Sequence, residues 1–295
     1  MSTNSAYRKF VSYIDKSREF YAAQGYTQAY RWASPPDPPP FRPLPGPLST
    51  LRLGLVTTAF PLPAAGKSAS PELPYAQVAE PFPTTLFTAD DNRDKSAARA
   101  NERESYLPLA RLTELVQAGR VASLSPRFYG VPFDYSQRRT TDQDAPAILA
   151  FLQADGVDVA LVVPHCPVCH QSASLLARHL EANGISTVVV GSARDIIEEI
   201  GVPRFLFVDF PLGYPTGKPG DAVQQRSICS QALDLLEGAW APRTTLQADA
   251  EWGDDVWRVD YMRVDDAMRA ALAAAGASRR IDQEGARTDG RARLS

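Results

Sequence analysis

Sulfur and imidazole are scarce in this chain of 295 residues, which holds three cysteines, three histidines and three methionines. Such scarcity excludes a disulfide-stapled scaffold, which needs several cysteine pairs in a much shorter chain. No charge of one sign dominates: 31 Lys and Arg stand against 34 Asp and Glu, for a net charge of -3. There is then no basic face for a phosphate backbone, and no nucleic-acid partner is expected. Long apolar runs are missing as well. The opening MSTNSAYRKFVSYIDKS alternates polar and apolar groups instead of forming the apolar centre of an export signal, and no later run approaches the ~20 residues of a membrane span. The expectation is a soluble, cytoplasmic protein with no membrane partner.

What is present is unevenly distributed. Cys166 and Cys169 lie together, and His165, His170 and His179 fall within the same fifteen residues. Around this cluster the chain alternates. Strands are expected at LRLGLVTTA from Leu51, Arg120 to Leu124, Val157 to Val163, Thr187 to Val190 and Phe205 to Val208. Helices are expected at Tyr106 to Gln117, Ala145 to Gln153, Val168 to Ala182, Asp195 to Ile200 and Val223 to Leu236. Val- and Leu-rich strands alternating with helices predict an α/β fold with a doubly wound, mostly parallel sheet of the Rossmann or flavodoxin kind. Residues 50–240 would form this domain. Residues 1–49 would precede it as an amphipathic helix, with Phe10, Tyr13, Ile14, Phe20 and Tyr21 at helical spacing, followed by a proline-rich arm from Ser34 to Ser49. Residues 241–295 form an extension with Trp252 and Trp257, an Ala-rich helix near Ala267 to Ala275, and twenty last residues with too few apolar groups to order. The polar segment from Phe60 to Arg103 breaks the alternation and is long for a loop, which suits a cover or a contact surface.

In open α/β sheets ligands sit beyond the carboxyl ends of the strands. VDVALVVP runs there into HCPVCHQSASLLARHL. Pro167 suits the first helical position, which makes Cys166 the N-cap and Cys169 the third helical residue. Unpaired amides and the positive end of the helix dipole both favour a thiolate at Cys166. His165 and His170 flank it as proton carriers, so a nucleophile, a resolving thiol and imidazoles stand together. Three rival readings use the same letters. Cys166-Pro-Val-Cys169-His170 satisfies the C-x-x-C-H spacing of haem attachment, which normally follows export. His165, Cys166, Cys169 and His170 are the right donor types for zinc or iron, though four donors in six consecutive residues surround one ion poorly. The pair could also be inert and buried. Cys229 and His179 read as packing residues within helical patterns. Arg127, Tyr129, Arg138 and Arg139 follow a strand end in SPRFYGVPFDYSQRR and could hold a substrate carboxylate. The turn-rich FPLGYPTGKPG offers Tyr214 and Lys218 as polar contacts, although its backbone shape alone would explain its composition.

At these residues the sequence resembles the selenoprotein B family of glycine, sarcosine, betaine and D-proline reductases, as a cysteine-containing homologue. The likeness runs from Tyr30-Arg31-Trp32-Ala33 to Leu236 through LRLGLVTTA, YLPLARLTELVQAGRV, SPRFYG, DGVDVALVVPHCPVCHQ, GISTVVV, VPRFLFVDFPLGYPTGKPGD and QALDLLE. It maps the family's selenocysteine onto Cys166 and its partner onto Cys169. The resemblance implies reductive cleavage of a C–N bond in a small nitrogen-containing substrate, by attack on the carbon beside the amine or together with a pyruvoyl-bearing subunit. A sulfur at Cys166 is the poorer nucleophile and leaving group, which points to a more activated substrate. No bound cofactor is required on this reading; an external thiol or thioredoxin-like protein supplies electrons, and a second reductase subunit is an expected partner. A metal-binding or redox-sensing module built on the same four side chains, and a homo-oligomer, are left open by the sequence.

Overall fold

The computed structural model describes residues 10–61, 73–83, 86–87, 102–133 and 135–288, with side chains as far as residue 281. Ser12 opens helix α1 (Tyr13–Ala23) by accepting the Asp15 amide on its hydroxyl. The proline-dense arm that follows forms neither helix nor strand until a single 3-10 turn at Leu48–Thr50, as the missing amide donors require. β1 (Arg52–Thr57) comes next, then the short strands β2 (Phe60–Pro61), β3 (Tyr75–Val78) and β4 (Leu86–Phe87). Most of the segment expected to act as a cover lies outside the described residues.

Helix α2 (Leu109–Gln117) leads to β5 (Ser123–Leu124) and β6 (Arg127–Gly130). β6 is a strand where a loop was expected. Helix α3 (Gln137–Arg139) continues through a π-helical turn into α4 (Ala145–Ala154). The rest alternates: β7 (Val159–Val163), α5 (Pro167–Ala182), β8 (Ser186–Gly191), α6 (Arg194–Ile200), β9 (Arg204–Phe207), α7 (Ala222–Gly238) and β10 (Thr244–Gln247). Helices α8 (Trp257–Asp260) and α9 (Asp266–Thr288) close the described chain. The expectation of disorder over the last twenty residues is corrected as far as Thr288. Gly276 lets α9 approach the Gln24 backbone where a β-carbon would clash, and Arg279 and Arg280 donate to the Gln24 side chain and carbonyl. Residues 289–295 lie outside the described residues.

The main sheet runs β10-β9-β8-β7-β1-β6-β3, with β5 also on β1, and every pairing is parallel except β3 against β6. Alternate side chains feed two cores. Leu53, Leu55, Leu161 and Val188 pack beneath α2 and α7 on one face, and Val56, Val162, Val189 and Phe205 beneath α4 and α5 on the other. Each fully buried Leu or Val contributes about 1.5–3 kcal/mol. A third cluster joins Tyr13 of α1, Ala33 of the arm, Ile196 and Ile200 of α6, and Trp257 and Tyr261 of the extension. The winding starts at β1, moves to β6 on one side, then crosses back to β7 on the other and continues outward. It therefore reverses between β1 and β7, and the crevice beyond the carboxyl ends of these two strands is where such sheets place ligands.

Candidate functional site

That crevice is occupied by the histidine and cysteine cluster. Thr58, directly after β1, bonds across to the residue two beyond β7: its hydroxyl lies 2.7 Å from His165 Nδ1 and accepts the His165 amide at 3.3 Å. Cys166 then takes extended dihedrals as the N-cap of α5, Pro167 fills the first helical position, and the Cys166 sulfur accepts the Cys169 amide at 3.1 Å. The local code thus works as its residue types dictate: a proline with no amide to waste, and a sulfur where an oxygen usually caps. Cys166 and Cys169 are joined in a disulfide, their Cα atoms 4.8 Å apart, and neither is exposed. In the reduced state the same amide and helix dipole would face a thiolate at Cys166.

His170 has a different task from the one its position suggests. Its Nδ1 donates to the Cys166 carbonyl at 2.6 Å, while its Nε2 accepts the amides of Ser192 and Ala193 at 3.0 and 3.1 Å. Both nitrogens are committed, and burial lowers the pKa to about 4. The ring is a neutral clamp between α5 and the end of β8, unsuited to shuttling protons. Gly191 makes the clamp possible, since a β-carbon there would come within 2.8 Å of the imidazole.

A strap of the N-terminal arm covers the sulfurs. Trp32 and Phe133 pack against Cys166, Val168 and Cys169. Gln171 holds the strap, accepting the Ala33 amide at 3.0 Å and donating to Tyr30 Oη at 2.7 Å, and Gln137 donates to the Arg31 carbonyl at 2.8 Å. Neither Thr58 nor Gln171 was singled out from the sequence. The strand-end rule pointed to Thr58 once β1 and β7 were neighbours; Gln171, among His170, Ser172 and Ser174, carried no signal of its own.

The other expected contacts have partners of their own. Arg127 pairs with Asp155 through Nε at 2.8 Å and a second nitrogen at 3.0 Å, and the Tyr129 hydroxyl donates to the same carboxylate at 2.5 Å. Burial raises the Asp155 pKa, but the bonds from Arg127 and Tyr129 outweigh it and leave the group below its ordinary value. Asp155 follows α4 and precedes β7, at the sheet end opposite the cysteines, so the geometry does not support Arg127 and Tyr129 as substrate ligands. Their strand, β6, pairs beside β1 and sends Tyr129 into the core. Tyr214 is buried against Trp252, ring centroids 5.3 Å apart. Arg138 is exposed, Arg139 lies 3.9 Å from Asp144, and Lys218 sits over the Trp252 ring. Cys229 lies on the buried face of α7, where burial pushes its thiol far up. Among the described residues no three His, Cys, Asp or Glu side chains converge on a metal position, and no helix is long and apolar enough to cross a membrane.

No family model and no solved structure matches the chain. It is 28% identical over 132 residues to the D-proline reductase subunit gamma of Acetoanaerobium sticklandii, an alignment covering 44% of this chain and 54% of that one. The chain thus spans about half the length of the curated relative it matches. With a cysteine pair at the switch point of a mostly parallel α/β sheet, it is a distant homologue of a reductase subunit, a likeness that supports a related reductase family without singling out a selenoprotein B member.

Proposed function

We propose that this chain is the thiol-bearing component of a reductase that cleaves a C–N bond in a small nitrogen-containing substrate. The carrying observation is the Cys166–Cys169 disulfide at the N-terminus of α5, in the crevice where the winding reverses. In the reduced protein the Cys166 thiolate attacks the carbon bearing nitrogen. The C–N bond breaks with its electron pair on nitrogen, which takes a proton, and His165 is the imidazole assigned to deliver it. Cys169 then attacks the Cys166 sulfur. An S–S bond forms, the S–C bond breaks, and the carbon leaves with two electrons and takes a proton, so the substrate should carry a carbonyl or carboxylate that stabilises that charge. An external dithiol, or a thioredoxin-like protein, reduces the disulfide and completes the cycle. Because the relative is named as one subunit of its enzyme, a second subunit is the expected partner, and a flavodoxin-like winding in a cytoplasmic protein is part of the same reading.

The test is turnover of small amine substrates with dithiothreitol. Cys166→Ser should abolish it, by about a thousandfold or more, whereas Cys169→Ser should slow it and leave a substrate-derived adduct on Cys166 in the mass spectrum. Equal, mild effects of the two substitutions overturn the assigned roles. Complete burial of both sulfurs favours one second reading, a redox sensor whose state is passed to a partner chain. Redox-dependent partner binding without turnover of any amine decides for it.

A further inference from the structure

Beside the disulfide lies a cavity of about 240 Å³ that the thiol chemistry leaves unused. Tyr21, Tyr26, Tyr30, Tyr135 and Trp32 line it with five aromatic rings, and Pro167 and Val168, the two residues enclosed between the cysteines, close one side. Trp32 belongs to this lining and to the cover of the sulfurs alike, so one layer of side chains separates cavity from disulfide. The side-chain charge on the lining itself has one sign. Arg18 is the one ionisable cation on the lining, no described lining residue carries a carboxylate, and the first residues of α5 bring the positive end of a helix dipole. Arg18 is paired with Asp15 at 3.0 Å, but both side chains are more than half exposed. Exposed pairs of this kind contribute little and yield readily to a better-placed carboxylate.

We propose that this cavity receives the body of the substrate, and that the substrate is a small planar nitrogen-containing carboxylate. The inference rests on the reductase reading above for what happens next to the bound molecule. A flat unsaturated ring fits between aromatic walls by stacked and edge-on contacts, and its carboxylate reaches Arg18. A ligand bearing only a cation meets rings that attract it but a guanidinium and a helix N-terminus that repel it.

Calorimetric titration of the full-length oxidised protein tests this with pyrrole-2-carboxylate and benzoate, against D-proline and benzyltrimethylammonium. Both planar carboxylates should bind, and the saturated zwitterion and the cation about tenfold more weakly or not at all. Arg18→Gln should weaken the planar carboxylates about tenfold. Ser17→Phe, which fills the void from α1, should abolish their binding while the melting temperature shows the variant folded. Absence of binding by both planar carboxylates overturns the proposal, as does binding that survives both substitutions or a cation that binds equally well. Cys166→Ser should leave this binding in place. Binding without turnover therefore removes the reductase reading alone, and turnover undiminished by Ser17→Phe removes the pocket alone.

Discussion

At its N-terminal end helix α5 holds the arm through a neutral amide, Gln171 to Ala33 at 3.0 Å. At its C-terminal end it holds the same arm through a charge: Glu181 accepts the Arg42 amide and pairs with Arg204 at 2.7 Å, and Arg204 in turn donates to the Arg42 carbonyl at 2.8 Å. Glu181 also takes the Thr187 amide and hydroxyl, and neither member of the pair is more than 1% exposed. The ionic end is a fixed anchor, since freeing either partner strands a charge in the core. The amide end costs little to release, and it is the end beside the disulfide. One arm is therefore held by a buried ion pair at one end and by a neutral amide at the other.

The comparison breaks most visibly at the anchor. Arg204→Leu should cost about 3–5 kcal/mol of stability in urea unfolding, and adding Glu181→Leu should restore part of it. A loss below about 1 kcal/mol would mean that the pair anchors nothing. Next in size is the clamp between α5 and the end of β8. His170 has a folded-state pKa lowered to about 4 from an ordinary 6.5, so the unfolded chain takes up its proton first. The contribution of His170 is complete above pH ~6.5 and is lost as pH falls towards 4, by about 3 kcal/mol in all. The difference between wild type and His170→Gln, followed by melting temperature against pH, isolates this from the carboxylates; parallel curves would show that the ring is not held neutral. At the amide end, Gln171→Ala should cost only about 1–2 kcal/mol yet speed reduction of the disulfide by dithiothreitol about tenfold. An unchanged rate would show that the strap does not guard the sulfurs. Smallest of all, Asp155→Asn should lower stability by about 1 kcal/mol and leave the reduction rate alone, which sharpens the separation of the two sheet ends.

Local signals were legible in the sequence and distant ones were not. Val157 to Val163 and Thr187 to Val190 read as strands because their Val-rich runs are long enough to show it, and Cys166 read as a cap because Pro167 follows it. β6 was missed because four residues, RFYG, carry too little pattern, and what makes them a strand is pairing with Val56 and Thr57. The bonds of Arg127 and Tyr129 to Asp155 were hidden for the same reason, that partner being more than twenty residues away. His170 looked like a proton carrier because its partners, the amides of Ser192 and Ala193, belong to another loop and carry no side-chain signature. The order in α9 came from Gln24, at the other end of the chain, which composition alone does not reveal.

The Cys166 carbonyl receives two hydrogen bonds from one residue, the His170 amide at 3.1 Å and its ring at 2.6 Å. With Pro167 setting the first helical dihedral, the start of α5 is held without help from the sulfur-sulfur bond. Breaking that bond then calls for rotation of two side chains and no rearrangement of the main chain. On the reductase reading, oxidised and reduced protein would then share one backbone at the start of α5, and the reorganisation between the two halves of the cycle falls to the strap that covers the sulfurs.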